Sequence, residues 1–488
     1  MPPRSILPCR TRAEAPESRR NVRLVLVLSP RDRARWMENY FTRIFLKEKK
    51  GEKMKRIHGV LSVLLVAIFL IGAAGCASQP QADGPKTLRV LAMQQAGPTP
   101  DEMNAIVAKF NAANPNVTVE IEYVSYDALH DKIVTAMSTN PPAYDIVLVD
   151  DIWYAEFAAS EYLLDVTDRL DDNMKANIFD SAWAITTVNG KTYGMPWLLD
   201  AKYFYYNEAI LKEAGFDAPP TTWEELVTMG QAIKEKGLVE YPIAWSWAQA
   251  EAAICDFVTL LEGNGGKLVD EAGKPIFNNE LGVTTLQWMV DSVESGLSNP
   301  ASITYVEEDV RNVFSQGKAA FATNWLYMYE LAALNAEESQ VTGQVKMSLM
   351  PVFEAGKAAG VQSATINGSM GFSVVGKSAN PDAAWEFVKF LTSEEIQKEY
   401  AAHLLPVWAN NYEGDALTAL EGLNPATPAT VPMFKEQIPF SRVRPKVPYY
   451  SEGSKALQLA LQEALTGQKT AQQALDDAAA VWVELGAK

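Results

Sequence analysis

From Thr87 to Asp150 the hydrophobic period of the sequence switches back and forth between two and about 3.6 residues, and this restricts the fold more than any other feature. Thr87-Leu-Arg-Val-Leu-Ala-Met93 alternates as a strand does. Thr99-Pro100-Asp101-Glu102 then offers a capping Thr, a Pro at the first helical position and a Glu at the third, which together satisfy the free amides of a helix start. Met103, Ile106, Val107 and Phe110 continue at helical spacing until Asn114-Pro115 ends the run. Val117, Val119, Ile121 and Tyr123 form a second alternating segment. A further helix is predicted over Tyr126 to Met137, and the apolar run Tyr144 to Asp150 suits a strand buried on both faces. Strand, helix, strand, helix, strand is α/β order, for which a mostly parallel sheet is expected.

The same chemistry recurs downstream. Thr222-Trp-Glu-Glu225 opens a helix predicted to run to about Lys236, and Tyr241 to Trp247 is expected as a strand. Gly371 to Val375 is another short strand, and Asn380-Pro381 starts a helix with Trp385, Val388 and Leu391 inward. Thr392-Ser-Glu-Glu395 and Thr470-Ala-Gln-Gln473 supply further helix starts.

Ahead of this pattern lies a different kind of sequence. Residues 1–53 carry a net charge of +8 within a chain of net −17. Met54-Lys55-Arg56 precedes an apolar run from Val60 to Ala74, shorter than the about 20 residues a membrane-spanning helix requires. Charged start, apolar run and small residues at Gly75-Cys76-Ala77-Ser78 make a signal peptide over 54–75. Ile71 to Cys76 resembles a bacterial lipobox, which implies that Cys76 is acylated and becomes the first mature residue. Residues 1–53 are therefore expected to be a non-mature extension, and the Pro/Gly-containing stretch 76–85 a tether. From Cys76 onward the net charge is −27, which argues against nucleic acid as a partner. The whole chain has three Cys and three His, too few for a disulfide framework, and neither a metal nor a cofactor is expected. Cys255, in the stretch Ala253 to Phe257, is expected as a small buried apolar residue.

Several segments, in order, resemble the extracellular solute-binding proteins of bacterial ABC importers for sugars, similar to maltose- and trehalose/maltose-binding proteins. They are Ala143 to Trp153, Gly190 to Asn207, Leu211 to Gly215, Pro220 to Leu226, Phe314 to Phe321 with Asn324-Trp325, Gly368 to Gly371, Leu405-Pro406 and Thr466-Gly467. The resemblance spans Lys86 to Gly486 and implies an α/β fold of two lobes with a ligand cleft between them. It puts the interlobe crossings near Pro196 to Ala201, Asn367 to Gly371 and Leu404 to Val407. Lobe one is then 86–195 plus 368–403, and lobe two 196–367 plus 404–488. It further implies a monomer that is not an enzyme, anchored outside the cytoplasm by its lipid, that passes a carbohydrate to the permease subunits of an ABC importer.

A sugar presents apolar C–H faces and a rim of hydroxyls, so its site requires aromatic plates beside carboxylate, amide or guanidinium groups. Asp200, between Trp197-Leu-Leu199 and Tyr203 to Tyr206, is the leading carboxylate and Trp325 the leading plate, both at positions the resemblance marks as ligand-binding. Asp151 and Trp153 follow the C-terminal end of a buried strand, where α/β crevices bind ligands, although Asp150 and Asp151 equally suit a helix cap. Trp245 and Trp247 share one face of a strand, one facing ligand and the other core. Arg442 is a candidate fork donor or a surface ion pair, and Gly368 offers backbone amides or merely turns. Gln95 and Trp408 are candidates by position, whereas Trp223, Trp385 and Trp482 sit at core spacing. Positions 453 and 454 are Gly and Ser, a departure from the resemblance that offers no stacking ring there.

Two other classes fit parts of this pattern. Acidic residues near aromatics also describe an exported glycosidase, although nothing in the sequence points to a carboxyl with a raised pKa. The same fold could take a polyol or a glycerol phosphate, but only Arg442, Arg444 and Lys202 are cations near the candidate site.

Overall fold

The structure is a computed structural model describing residues 84–94, 96–401 and 404–487. The expected extension, the signal peptide, Cys76 with most of its tether, and Gln95 lie outside the described residues. None of the described helices is long and apolar enough to cross a membrane.

The chain begins with β1 (Lys86–Met93), α1 (Pro100–Ala113), β2 (Val117–Val124), α2 (Tyr126–Met137) and β3 (Ile146–Asp150). A small hairpin of β4 (Thr187–Val188) and β5 (Lys191–Thr192) leads to β6 (Met195–Leu198) and β7 (Tyr203–Asn207). There follow α3 (Trp223–Glu235), β8 (Ile243–Ala244), α4 (Glu251–Gly263), α5 (Glu280–Glu294), β9 (Phe321–Asn324) and β10 (Val345–Ser348). The chain closes with β11 (Thr365–Ile366), β12 (Met370–Val374), α6 (Pro381–Leu391), β13 (Ser441–Arg442), α7 (Tyr450–Leu465) and α8 (Ala471–Gly486).

Local rules account for most of these boundaries. At α1 the Thr99 hydroxyl accepts from the Glu102 amide while the Glu102 carboxylate accepts from the Thr99 amide at 2.8 Å, and the same reciprocal cap opens α3 and α8. At Thr392 the expectation shifts by one residue. Ser393 caps the next short helix, while Thr392 terminates α6 and turns its hydroxyl back to Val388 O.

The strands form two main sheets. The first has the order β2-β1-β3-β12-β6, with β1 parallel to both β2 and β3. β12 is inserted antiparallel between β3 and β6, because it enters from the other end of the sheet after a crossing. All five residues of β3 are buried, as a strand covered on both faces must be. The second sheet, β10-β7-β9-β8, departs from the expected parallel arrangement: β7 is antiparallel to both of its neighbours, and only β8 and β9 are parallel. Helices cover both sheets, giving the two-lobe α/β architecture.

Pairing also moves the lobe changes. β6 keeps Pro196 to Leu198 in the first sheet, so the chain leaves lobe one at Leu199 rather than Pro196. Residues 404–408 likewise stay on the first lobe, since Phe179 N–H donates to Val407 O and Val407 N–H to Gln397 Oε1 at 2.8 Å.

Candidate functional site

Two crossings run side by side where the sheets meet. Ala201 and Asn367 form an antiparallel bridge, Lys202 N–H donates to Ile366 O at 3.3 Å, and Gly368 N–H donates to Asp200 O at 3.1 Å. The Asp200 amide in turn donates to Ser369 Oγ at 3.0 Å. These bonds fix Asp200 in the seam between lobes. Its carboxylate accepts from Ala201 N–H at 2.7 Å and from Leu326 N–H at 3.4 Å. Burial nevertheless pushes the carboxyl up to about 7, more than those two amides pull it down.

Leu326 brings its neighbour with it. Trp325 follows β9, donates its indole N–H to Glu307 at 3.2 Å and leaves its ring partly exposed. A Cβ on Gly368 would fall 2.4 Å from Trp325 Cζ3, so the indole lies directly on the glycine. Asp200, Trp325 and Gly368 thus meet at one point, a hydrogen-bonding carboxyl beside an accessible aromatic plate. The Lys202 ammonium stands 5.6 Å from the Trp325 ring centroid, held in a fully buried pair with Asp256 at 2.7 Å and bonded to Ser246.

On the other side of Asn367 lies a second polar cluster. The Arg444 guanidinium, wholly buried, donates to Asp150 at 3.0 Å, Asp151 at 2.7 Å, Glu251 at 2.9 Å and the Asn367 carbonyl at 3.3 Å. Tyr126 donates to Asp150 at 3.0 Å and Tyr450 to Glu251 at 2.7 Å. Nearby, a groove of about 500 Å³ separates α2 from α7, lined by His130, Asp131, Glu156, Ser451 and Lys455 among others. Burial alone would lower His130, but hydrogen bonds and charge from Glu156 and Asp131 outweigh it and raise its pKa. Among the described residues no group of His, Cys, Asp and Glu has the arrangement to hold a metal ion.

Several candidates stand elsewhere. Trp245 and Trp247 stack on each other at 4.9 Å, and Trp245 also packs on Trp223 and Trp288; both are fully buried, so they build the core of lobe two. Trp408 is buried with its indole N–H on Thr392 O, a core residue of lobe one. Trp153 is buried against Tyr126 and His130, and Asp151 is occupied by Arg444. Arg442 points to solvent with Glu262 at 3.9 Å, whereas Arg444, two residues further on, is buried instead. Glu251 was not singled out from sequence. An acidic residue in the first turn of a helix has an ordinary explanation in the helix dipole, so nothing local distinguishes it.

With this geometry in hand, comparison with known proteins gives the class. The profile of the bacterial extracellular solute-binding protein family matches residues 96–398, and the chain belongs to that family. A probable ABC transporter-binding protein of Deinococcus radiodurans is 33% identical over 263 residues, 53% of this chain and 60% of that protein, so the match spans less than two thirds of that relative's length. The diacetylchitobiose binding protein DasA of Streptomyces coelicolor is 27% identical over 45% of this chain and 52% of its own. Among solved structures, maltose-bound MalE3 of T. maritima has a TM-score of 0.73 and 28% identity, covering 82% of this chain and all of that one.

Proposed function

We propose that this protein captures a carbohydrate, a di- or oligosaccharide, between its lobes and delivers it to the permease of an ABC importer, held outside the cytoplasm as a monomer by a lipid on Cys76. One observation carries the reading: the Asp200 carboxyl and the partly exposed Trp325 ring meet in the seam between lobes, a pairing suited to hydroxyls and C–H faces. The names of two relatives agree with it, since MalE3 is maltose-bound and DasA binds diacetylchitobiose. The net charge of −27 from Cys76 onward favours neutral over anionic solutes.

The raised pKa of Asp200 is also what the general acid of a glycosidase has, so the experiment must detect turnover. Calorimetric titration and thermal shift against mono- and disaccharides and polyols, with product analysis after long incubation, are expected to give saturable one-to-one binding and unaltered sugar. Cleaved sugar, or no binding across the panel, overturns the reading. The anchor is tested separately: Cys76→Ser is expected to leave the membrane fraction, and a variant that keeps lipid refutes the lipobox.

A further inference from the structure

Arg444 stands in the connection between β13 and α7, and α7 packs on α4 and α8 of lobe two. Two of its carboxylate partners, Asp150 and Asp151, lie at the end of β3 in lobe one; the third, Glu251, is on α4 of lobe two. Its guanidinium is therefore an ionic bridge between the lobes, seated on the carbonyl of the crossing residue Asn367. The same connection makes a second contact, where Lys446 donates to the carbonyls of Ile185 at 3.0 Å and Thr187 at 3.1 Å in lobe one.

The charges at the bridge do not balance. Asp150, Asp151 and Glu251 surround one guanidinium, and the groups facing them from α2, α4, α7 and the helix after β3 are Tyr126, Cys255, Tyr450 and Tyr154, none of them a cation. Besides Arg444, Lys446 is the cation that acts on Asp151 among the described residues, and its ammonium donates to the lobe-one carbonyls. Asp151 is wholly buried, and among the described residues none donates a hydrogen bond to its Oδ2. An ionised carboxylate oxygen in that position is costly, and a proton removes the cost. Burial, beyond the pull of Arg444 and with Asp150 adding to it, holds the Asp151 carboxyl well above the usual range.

We infer that Arg444 is a clasp between the lobes and that fastening it takes up one proton on Asp151. When the lobes separate, water reaches Asp151 and the proton leaves; when they meet, the proton returns and the bridge carries one excess negative charge fewer. The fastened arrangement is thereby favoured as pH falls and weakened as pH rises. The inference rests on lobe closure as part of the proposed function, but it concerns the ligand-free protein.

Spin labels at the exposed positions Ala105 of α1 and Ala480 of α8, introduced as Ala105→Cys and Ala480→Cys, report the interlobe distance by pulsed electron resonance without any sugar. The distance distribution is expected to shift toward the short population between about pH 8 and about pH 5. Asp151→Asn, which is permanently neutral, is expected to show the short population at both values. Arg444→Met is expected to lose the short population and Arg444→Lys to recover part of it. A distribution in the parent that ignores pH, or an Asp151→Asn variant that keeps the full shift, overturns the inference even if Arg444→Met fails to fold. A protein that binds no sugar yet shows the shift supports the clasp while removing the transport reading.

Discussion

Gly368 lies directly against the indole of Trp325: an added Cβ would stand 2.4 Å from Cζ3 and 2.5 Å from Cη2, well inside van der Waals contact. The glycine backbone is not in the left-handed region, so what demands glycine here is the plate resting on it rather than its own torsion angles. Gly368→Ala should displace the ring, cost about 1 to 3 kcal/mol of stability and weaken ligand affinity. A Gly368→Ala/Trp325→Ala pair, compared with each single change by chemical denaturation, should show strong non-additivity, and simple additivity would remove the contact from the account.

Trp325→Ala tests the plate itself. Loss of a stacking ring should weaken sugar binding by about 1 to 2 kcal/mol with little change in fold, because the ring is only partly buried. In the parent, sugar should change tryptophan fluorescence. Unchanged affinity in the variant would place the ligand elsewhere.

Asp200 gives a signed pH prediction. Its folded carboxyl titrates at about 7 and an unfolded one near 4, so its contribution is fully present below about pH 4 and is lost as pH rises through 7. Asp200→Asn should therefore gain stability over the parent with rising pH, by up to about 4 kcal/mol above neutrality. Denaturant midpoints measured from acid to alkaline pH read this directly; parallel curves would show that Asp200 titrates normally.

The Lys202–Asp256 pair is buried on both sides, with Thr323 Oγ1 also donating to Asp256 at 3.1 Å. Lys202→Met should cost about 3 to 5 kcal/mol by leaving Asp256 buried without its counter-charge. Lys202→Met with Asp256→Leu should recover much of that loss. Thermal unfolding of the three proteins decides it.

How much of this was legible beforehand varies with the range of the interaction. The caps at Thr99, Thr222 and Thr470, the core positions of Trp223, Trp385 and Trp482, and the burial of β3 follow from neighbours within a turn or two. Trp245 and Trp247 mark the limit of local pattern. Alternation predicts a strand through Trp247 with both rings on one face, but β8 ends at Ala244, and the two rings past it are buried by their stack on each other and by Trp223 and Trp288 of α3 and α5.

The sequence by itself determined an α/β chain with its helix ends in place, a strong net acidity and a short set of polar and aromatic candidates. Tertiary structure decided which of them meet. Arg444 rather than Arg442 finds Asp151, a partner 293 residues away, and Trp325, just past β9, comes to rest on Gly368 of a crossing. Caps and periodicity are set by a few adjacent residues, whose chemistry is visible in the string. The site is made by segments that only the packed sheets bring together, and it is likewise packing between the lobes that buries Arg444 while Arg442, two residues earlier, stays exposed.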